Sequence, residues 1–133
     1  GALVHPEQAV PRRLAVLGAS RDRAKFGNIS VRAHARMGYE VFPVNPYADQ
    51  IEGLPAFATL ADLPVDSVDR VSVYLAPDQG YELLEDIAQL QPEEVWLNPG
   101  SADATLVERA RELRLPIIEG CSIVDVGLSP GEV

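Results

Sequence analysis

The run Arg13-Leu14-Ala15-Val16-Leu17 leads straight into Gly18-Ala19-Ser20, and Gly27 follows nine positions after Gly18. Glycine admits the backbone angles of a tight exit, Ser20 supplies a hydroxyl donor, and the free N–H groups that open a following helix meet phosphate oxygens. The spacing is not G-x-G-x-x-G: Ser20 replaces the second glycine, and the insertion through Lys25 lengthens the turn. Arg21, Arg23 and Lys25 add three positive charges within five positions. Such a segment suits a phosphate or pyrophosphate, with an ordinary turn bearing solvated side chains as the alternative.

At the end of a second apolar run stands Asn45-Pro46, where a dinucleotide enzyme carries an acidic side chain for the adenosine ribose. The neutral Asn45 disfavours NAD and admits a ribose bearing a phosphate, as in NADP or coenzyme A; an Asn-Pro turn without a ligand role is the alternative. Tyr47, directly after that pair, is the aromatic better placed to touch an adenine, with an exposed loop aromatic as the alternative. Cys121, the only cysteine, forms no internal disulfide, and His5 and His34 fit no metal-ligand spacing, so no metal is expected. Cys121 reads as a small buried residue, with a mixed disulfide to a ligand thiol as the sharper alternative. No histidine and oriented carboxylate accompany it, and no catalytic residue is assigned, although Asp78 and Glu119 are carboxylates near the same loops. Trp96 reads as core.

These residues must be carried by a strand-loop-helix frame. Strands are predicted at 13–17, 40–44, 70–75, 94–97 and 116–119. Helices are predicted at 28–37, where Ile29, Ala33 and Met37 recur every four residues before Gly38, and at 78–90 and 103–114. Thr59 caps a short turn at 60–63. The alternation predicts a single α/β Rossmann-like domain over 12–125, a five-stranded, mainly parallel sheet of order 3-2-1-4-5 flanked by helices. Residues 1–11 and 126–133 are read as terminal extensions. Strands 1 and 4 would then be adjacent, with loops 18–28, 45–47, 76–78, 98–101 and 120–122 at one carboxyl edge.

With 133 residues, one domain is the economical reading, and 47% apolar against 23% charged residues is ordinary for a folded chain. The formal charge of −9 excludes broad nucleic-acid binding, yet it is unevenly spread. Residues 1–48 hold seven Lys/Arg and three Asp/Glu, whereas 49–133 hold four Arg and seventeen Asp/Glu. An acidic protein with its positive charge beside one loop suits a small anion. No run is long enough to span a membrane and no signal peptide is visible, so the expected location is cytoplasmic, as monomer or homodimer.

The combination Ala15-Val16-Leu17-Gly18-Ala19-Ser20, Phe26-Gly27-Asn28, Gly38-Tyr39-Glu40-Val41-Phe42-Pro43-Val44-Asn45-Pro46, Leu60-Ala61-Asp62-Leu63-Pro64 and Val95-Trp96-Leu97, with the late Cys121, resembles the stand-alone CoA-binding domain family. That family is related to the CoA-binding domain of the succinyl-CoA synthetase alpha subunit. The resemblance implies that Gly18, Ala19, Ser20 and Lys25 lie at the nucleotide phosphates and Asn45-Pro46 at the adenosine end. It further implies that Ala76-Pro77 covers the ligand and that Asn98 and Gly100 face the pantetheine. Tyr74-Leu75-Ala76 lacks the arginine family members often carry there, Asn98-Pro99-Gly100 replaces their Gln before Gly, and Gly120 replaces the Arg before the cysteine. The expected function is a small protein that binds CoA or an acyl-CoA without catalysis of its own. The alternatives are an NADP-linked reductase or acyl-CoA ligase component, and a nucleotide-responsive module for a protein partner.

Overall fold

The computed structural model describes residues 10–133; His5 and most of the N-terminal extension lie outside them. Strands β1 (Arg13–Leu17), β2 (Glu40–Val44), β5 (Arg70–Val73), β6 (Glu94–Leu97) and β7 (Ile117–Glu119) form a parallel sheet of order β2-β1-β5-β6-β7. A short antiparallel hairpin, β3 (Gln50–Ile51) and β4 (Leu54–Pro55), sits in the long connection between β2 and β5.

Successive side chains of a strand point to opposite faces, and both faces of β1 are buried. Ala15 and Leu17 join Phe42, Val71 and Val95 beneath α3 (Leu84–Gln89) and α4 (Ala104–Glu112). Leu14 and Val16 pack with Val31 of α1 (Phe26–Arg36) and with Ile51 of the hairpin. Near-continuous apolar strands are what a doubly covered parallel sheet requires.

The observed order corrects the expected 3-2-1-4-5. The third long strand, β5, pairs with β1, not with β2, so β1 and β5 are the neighbours at the switch point where strands 1 and 4 were expected. Pro43 supplies a physical reason. Its carbonyl faces the outer side of β2, where it accepts from Phe57 N at 2.9 Å, and Asn45 N donates to Phe57 O at 2.9 Å. The nitrogen of Pro43 faces that same outer side without a hydrogen to donate, which suits an edge strand. Pairing there stops at the single bridge Val44–Phe57, and the chain crosses over β1 to begin β5.

The helix expected over 78–90 divides into α2 (Pro77–Tyr81) and α3. Gly80 lies in α2, where a Cβ would come within 3.2 Å of Leu106 Cδ1, so the close packing of α2 on α4 uses a residue with weak helix propensity. Residues beyond 125 pack onto α1: Val126, Leu128 and Val133 cover Ile29, Ala33 and Ile123, the last from α5 (Ser122–Asp125). Among the described residues no helix is long and apolar enough to cross a membrane.

Candidate functional site

At the carboxyl end of β1, Gly18 takes φ +81°, and a Cβ there would lie 2.8 Å from Tyr74 O beyond the end of β5. Gly27, in the first turn of α1, is tighter still: its Cβ would lie 2.1 Å from Gly18 O. Two glycines thus let the exit of β1, the continuation of β5 and the start of α1 meet backbone to backbone. α1 begins at Lys25 with no capping side chain and no acidic residue in its first turn. The amides of Ser20, Arg21, Arg23, Phe26 and Gly27 donate to no other described residue. Ser20 Oγ accepts from Asp22 N at 3.0 Å, which leaves the hydroxyl hydrogen free to donate. Unpaired amides with the positive end of a helix dipole make an anion-binding surface.

Two clefts flank this loop and share Gly18 and Leu75 as the ridge between them. The first, about 440 Å³, is mainly apolar; Gly18, Ala19 and Asn45–Tyr47 line one side, Thr59, Leu60 and Leu83 the other. The second, about 360 Å³, runs from Lys25, Phe26 and Gly27 to Ala76, Pro99 and Gly100. Tyr47 (88% exposed) and Phe26 (58%) present their rings at these clefts.

The structure therefore brings together Gly18, Ala19, Lys25, Asn45, Pro46, Tyr47, Ala76 and Gly100. Ser20, Arg21 and Arg23 stand on the loop but line neither cleft, and Arg23 lies 3.6 Å from Glu52 of the hairpin turn. Asn45 braces the loop: its Nδ2 donates to Ala19 O at 2.9 Å, and its Oδ1 accepts from Tyr47 N at 2.7 Å.

Two expected contacts are corrected. Asn98 is buried and its amide is consumed internally. Nδ2 donates to Ser72 Oγ at 2.8 Å and Val73 O at 3.0 Å, while Oδ1 accepts from Ser122 N at 2.9 Å. It ties β6 to β5 and α5 and faces no cleft. Pro77 opens α2 and lines a separate groove with Asp78, Tyr81 and Asp103, so Ala76 alone of that pair reaches the site. Cys121, half-buried, packs against the Ile29–Ala33–Ile123 cluster and lines neither cleft.

Sequence reasoning omitted Leu75, Thr59, Leu60 and Leu83 from the site. Thr59 and Leu60 belong to the capped turn at 59–63, whose residue types give no sign of a ligand role, and with Leu83 they reach the first cleft through the crossover after β2 and the break between α2 and α3. Tyr74 lines the second cleft while its hydroxyl bonds Ser122 Oγ at 3.0 Å; burial, partly offset by that bond, raises its pKa. It stays protonated at neutral pH. On the opposite, amino side of the sheet, Arg70 is buried between Glu94 (2.7 Å) and Asp125 (2.6 Å), with Tyr39 and Trp96 facing its guanidinium. The ion pairs and the ring faces offset the cost of burying that charge.

Residues 12–127 match the model of the CoA binding domain family. The uncharacterised protein YneT of Bacillus subtilis is 25% identical over 101 residues, covering 76% of this chain and 74% of its own. An ADP-forming acetate–CoA ligase of Archaeoglobus fulgidus is 35% identical over 82 residues, 59% of this chain, which spans only 12% of the ligase. Among solved structures, a conserved hypothetical protein of Pyrococcus furiosus superposes with TM-score 0.77 at 29% identity, over 86% of this chain and 98% of that one. A dinucleotide-forming acetyl-coenzyme A synthetase of Korarchaeum cryptofilum superposes with TM-score 0.71 at 25% identity, over 83% of this chain and 26% of that one. With the family model covering nearly every described residue, the chain belongs to the CoA-binding domain family.

Proposed function

We propose that the chain binds coenzyme A or an acyl-CoA at this carboxyl edge and catalyses no reaction alone. The observation that carries the reading is the loop from Gly18 to Lys25, with its unpaired amides, abutting an apolar cleft on one side and a smaller, more open cleft on the other. The pyrophosphate would lie over the start of α1, where the amides of Phe26 and Gly27 and the Lys25 ammonium meet its charge. The adenine would enter the apolar cleft against Pro46 and Tyr47. The pantetheine arm would follow the second cleft past Ala76 toward Gly100.

The side chains available there hold a ligand; they do not transform one. A covalent mechanism needs an activated nucleophile with a base in reach, whereas Cys121 and Pro77–Asp78 face elsewhere and Tyr74 is committed to Ser122. The likeness to part of an ADP-forming ligase favours one second reading, that the chain supplies the CoA-binding part of a larger ligase assembly. Mass spectrometry of protein purified without added nucleotide should find CoA or a thioester in stoichiometric amount. Incubation with CoA thioesters, with acids plus ATP and CoA, or with NADP(H) should yield no product. Turnover that follows the purified chain would reject the non-catalytic reading, and retention of a nicotinamide nucleotide would reject the CoA reading.

A further inference from the structure

A loop offers its N–H groups to an anion only if its carbonyls face elsewhere, because the C=O and N–H of one trans peptide point in opposite directions. Here the carbonyls are held from behind. Ser20 O accepts from Asn28 Nδ2 at 2.9 Å, and Arg23 O accepts from Arg32 Nη2 at 2.8 Å, alongside the Asn45 bond to Ala19 O. Asn28 is fully buried, and Arg32 Nε donates to its Oδ1 at 2.8 Å, which fixes the amide with its nitrogen toward the loop. Both side chains issue from α1 one helical turn apart, so one face of the helix grips the loop at two places. In the peptide that follows Ser20, the N–H of Arg21 is left without a partner among the described residues.

We propose that Asn28, held in turn by Arg32, is a positioning residue for phosphate binding: it clamps the Ser20 carbonyl against α1 and so turns the Arg21 N–H outward, whereas the Ala24 N–H behind the Arg23 carbonyl donates to Asp22 Oδ1 at 3.0 Å. Neither residue touches the ligand. The inference rests on the reading that this loop receives a phosphate, but the clamp itself exists without ligand and is testable without it. Arg32 also donates to Val133 O at 2.9 Å, so its loss frees the C-terminal segment as well. Arg36 reaches Glu132 O at 3.3 Å without touching the loop and serves as the control.

The test is residual dipolar coupling of the loop amides in the ligand-free protein, followed by CoA titration. Asn28→Leu removes the donor to Ser20 O without adding charge beside Glu52, whose Oε2 also accepts from Asn28 Nδ2 at 3.2 Å, and Arg32→Lys keeps the charge while removing the planar fork. The Arg21 N–H vector should reorient in both variants, directly in the first and through the loosened Asn28 amide in the second. CoA should bind roughly tenfold or more weakly to both, as loss of one hydrogen bond to a charged group predicts. Arg36→Ala should match the wild type in both readouts. Unchanged vectors in either folded variant overturn the clamp, as does wild-type CoA affinity in a variant whose vectors have turned. If the wild type fails to bind CoA, the proposed function falls while the couplings still decide whether the clamp orients the loop.

Discussion

Lys25 is the last residue before α1 and lines the second cleft, at the place proposed for the pyrophosphate. A charge-assisted contact contributes about 1.5–3 kcal/mol, and solvent exposure pulls it toward the lower end. Lys25→Ala is therefore expected to weaken CoA and dephospho-CoA by the same factor, roughly tenfold. Parallel titrations check this: a loss confined to CoA would move Lys25 to the 3′-phosphate, and no loss would leave it in solvent. His34 offers a test away from the ligand. It is fully buried in α1, with Nδ1 2.8 Å from Ser30 O and Nε2 3.4 Å from Arg70 Nη1. Those partners are satisfied together when Nδ1 carries the proton and Nε2 accepts from the guanidinium. Burial first, and then the Arg70 charge, lower its pKa from 6.5 to about 4. The unfolded chain thus takes up a proton before the folded one. This contribution to stability is whole above pH 6.5 and declines as pH falls toward 4, by up to about 3 kcal/mol. Urea midpoints measured from pH 7 to pH 4 should fall more steeply for the wild type than for His34→Gln. Equal slopes would mean that His34 does not remain neutral in the fold.

At the level of elements, the contact that builds the site is α1 against the exit of β1. Gly27→Ala would drive a Cβ into Gly18 O, and because both sides of that contact are backbone, relief requires the helix to move. Overpacking of this kind costs about 1–3 kcal/mol. Thermal unfolding should drop by several degrees, and CoA affinity should fall with it as the helix N-terminus withdraws. Gly131→Ala, where a Cβ meets nothing within 4 Å, should change neither measurement. An unshifted Tm and affinity in Gly27→Ala would show that the backbone approach is not needed. The elements themselves are legible because apolar runs and caps are local: the strand at 13–17, the helix ending before Gly38 and the helix capped at Asp103 all occur, with ends displaced by one or two residues. Their arrangement is less legible. Nothing local in Arg70-Val71-Ser72-Val73 says whether it pairs with β1 or β2, and a feature that bears on it, the missing donor of Pro43, lies 27 residues before Arg70.

For the molecule as a whole, the same distinction separates the readable half of the site from the rest. Gly18, Lys25 and Asn45–Tyr47 lie beside strand ends and were marked by residue type and spacing. Thr59, Leu60 and Leu83 become lining only when the chain after β2 crosses to the far side of β1. Asn98 has the residue type of a ligand contact and the surroundings of a structural tie, a difference visible only once Ser72 and Ser122 are seen beside it. The charge asymmetry of the sequence is only partly concentrated at the site: Arg12 and Arg13 lie beside Glu93, Glu94 and Glu40 at the amino end of the sheet and Arg23 beside Glu52, which leaves Arg21 and Lys25 as the loop's cations. The central claim is that this edge takes coenzyme A, and the uncharged Asn45 at the end of β2 gives it a direct competitor test. Calorimetric titration of the full chain with CoA and with NAD, under one buffer and salt condition, should show one CoA site and markedly weaker binding of NAD. Equal affinity for the two, or preference for NAD, would contradict the account.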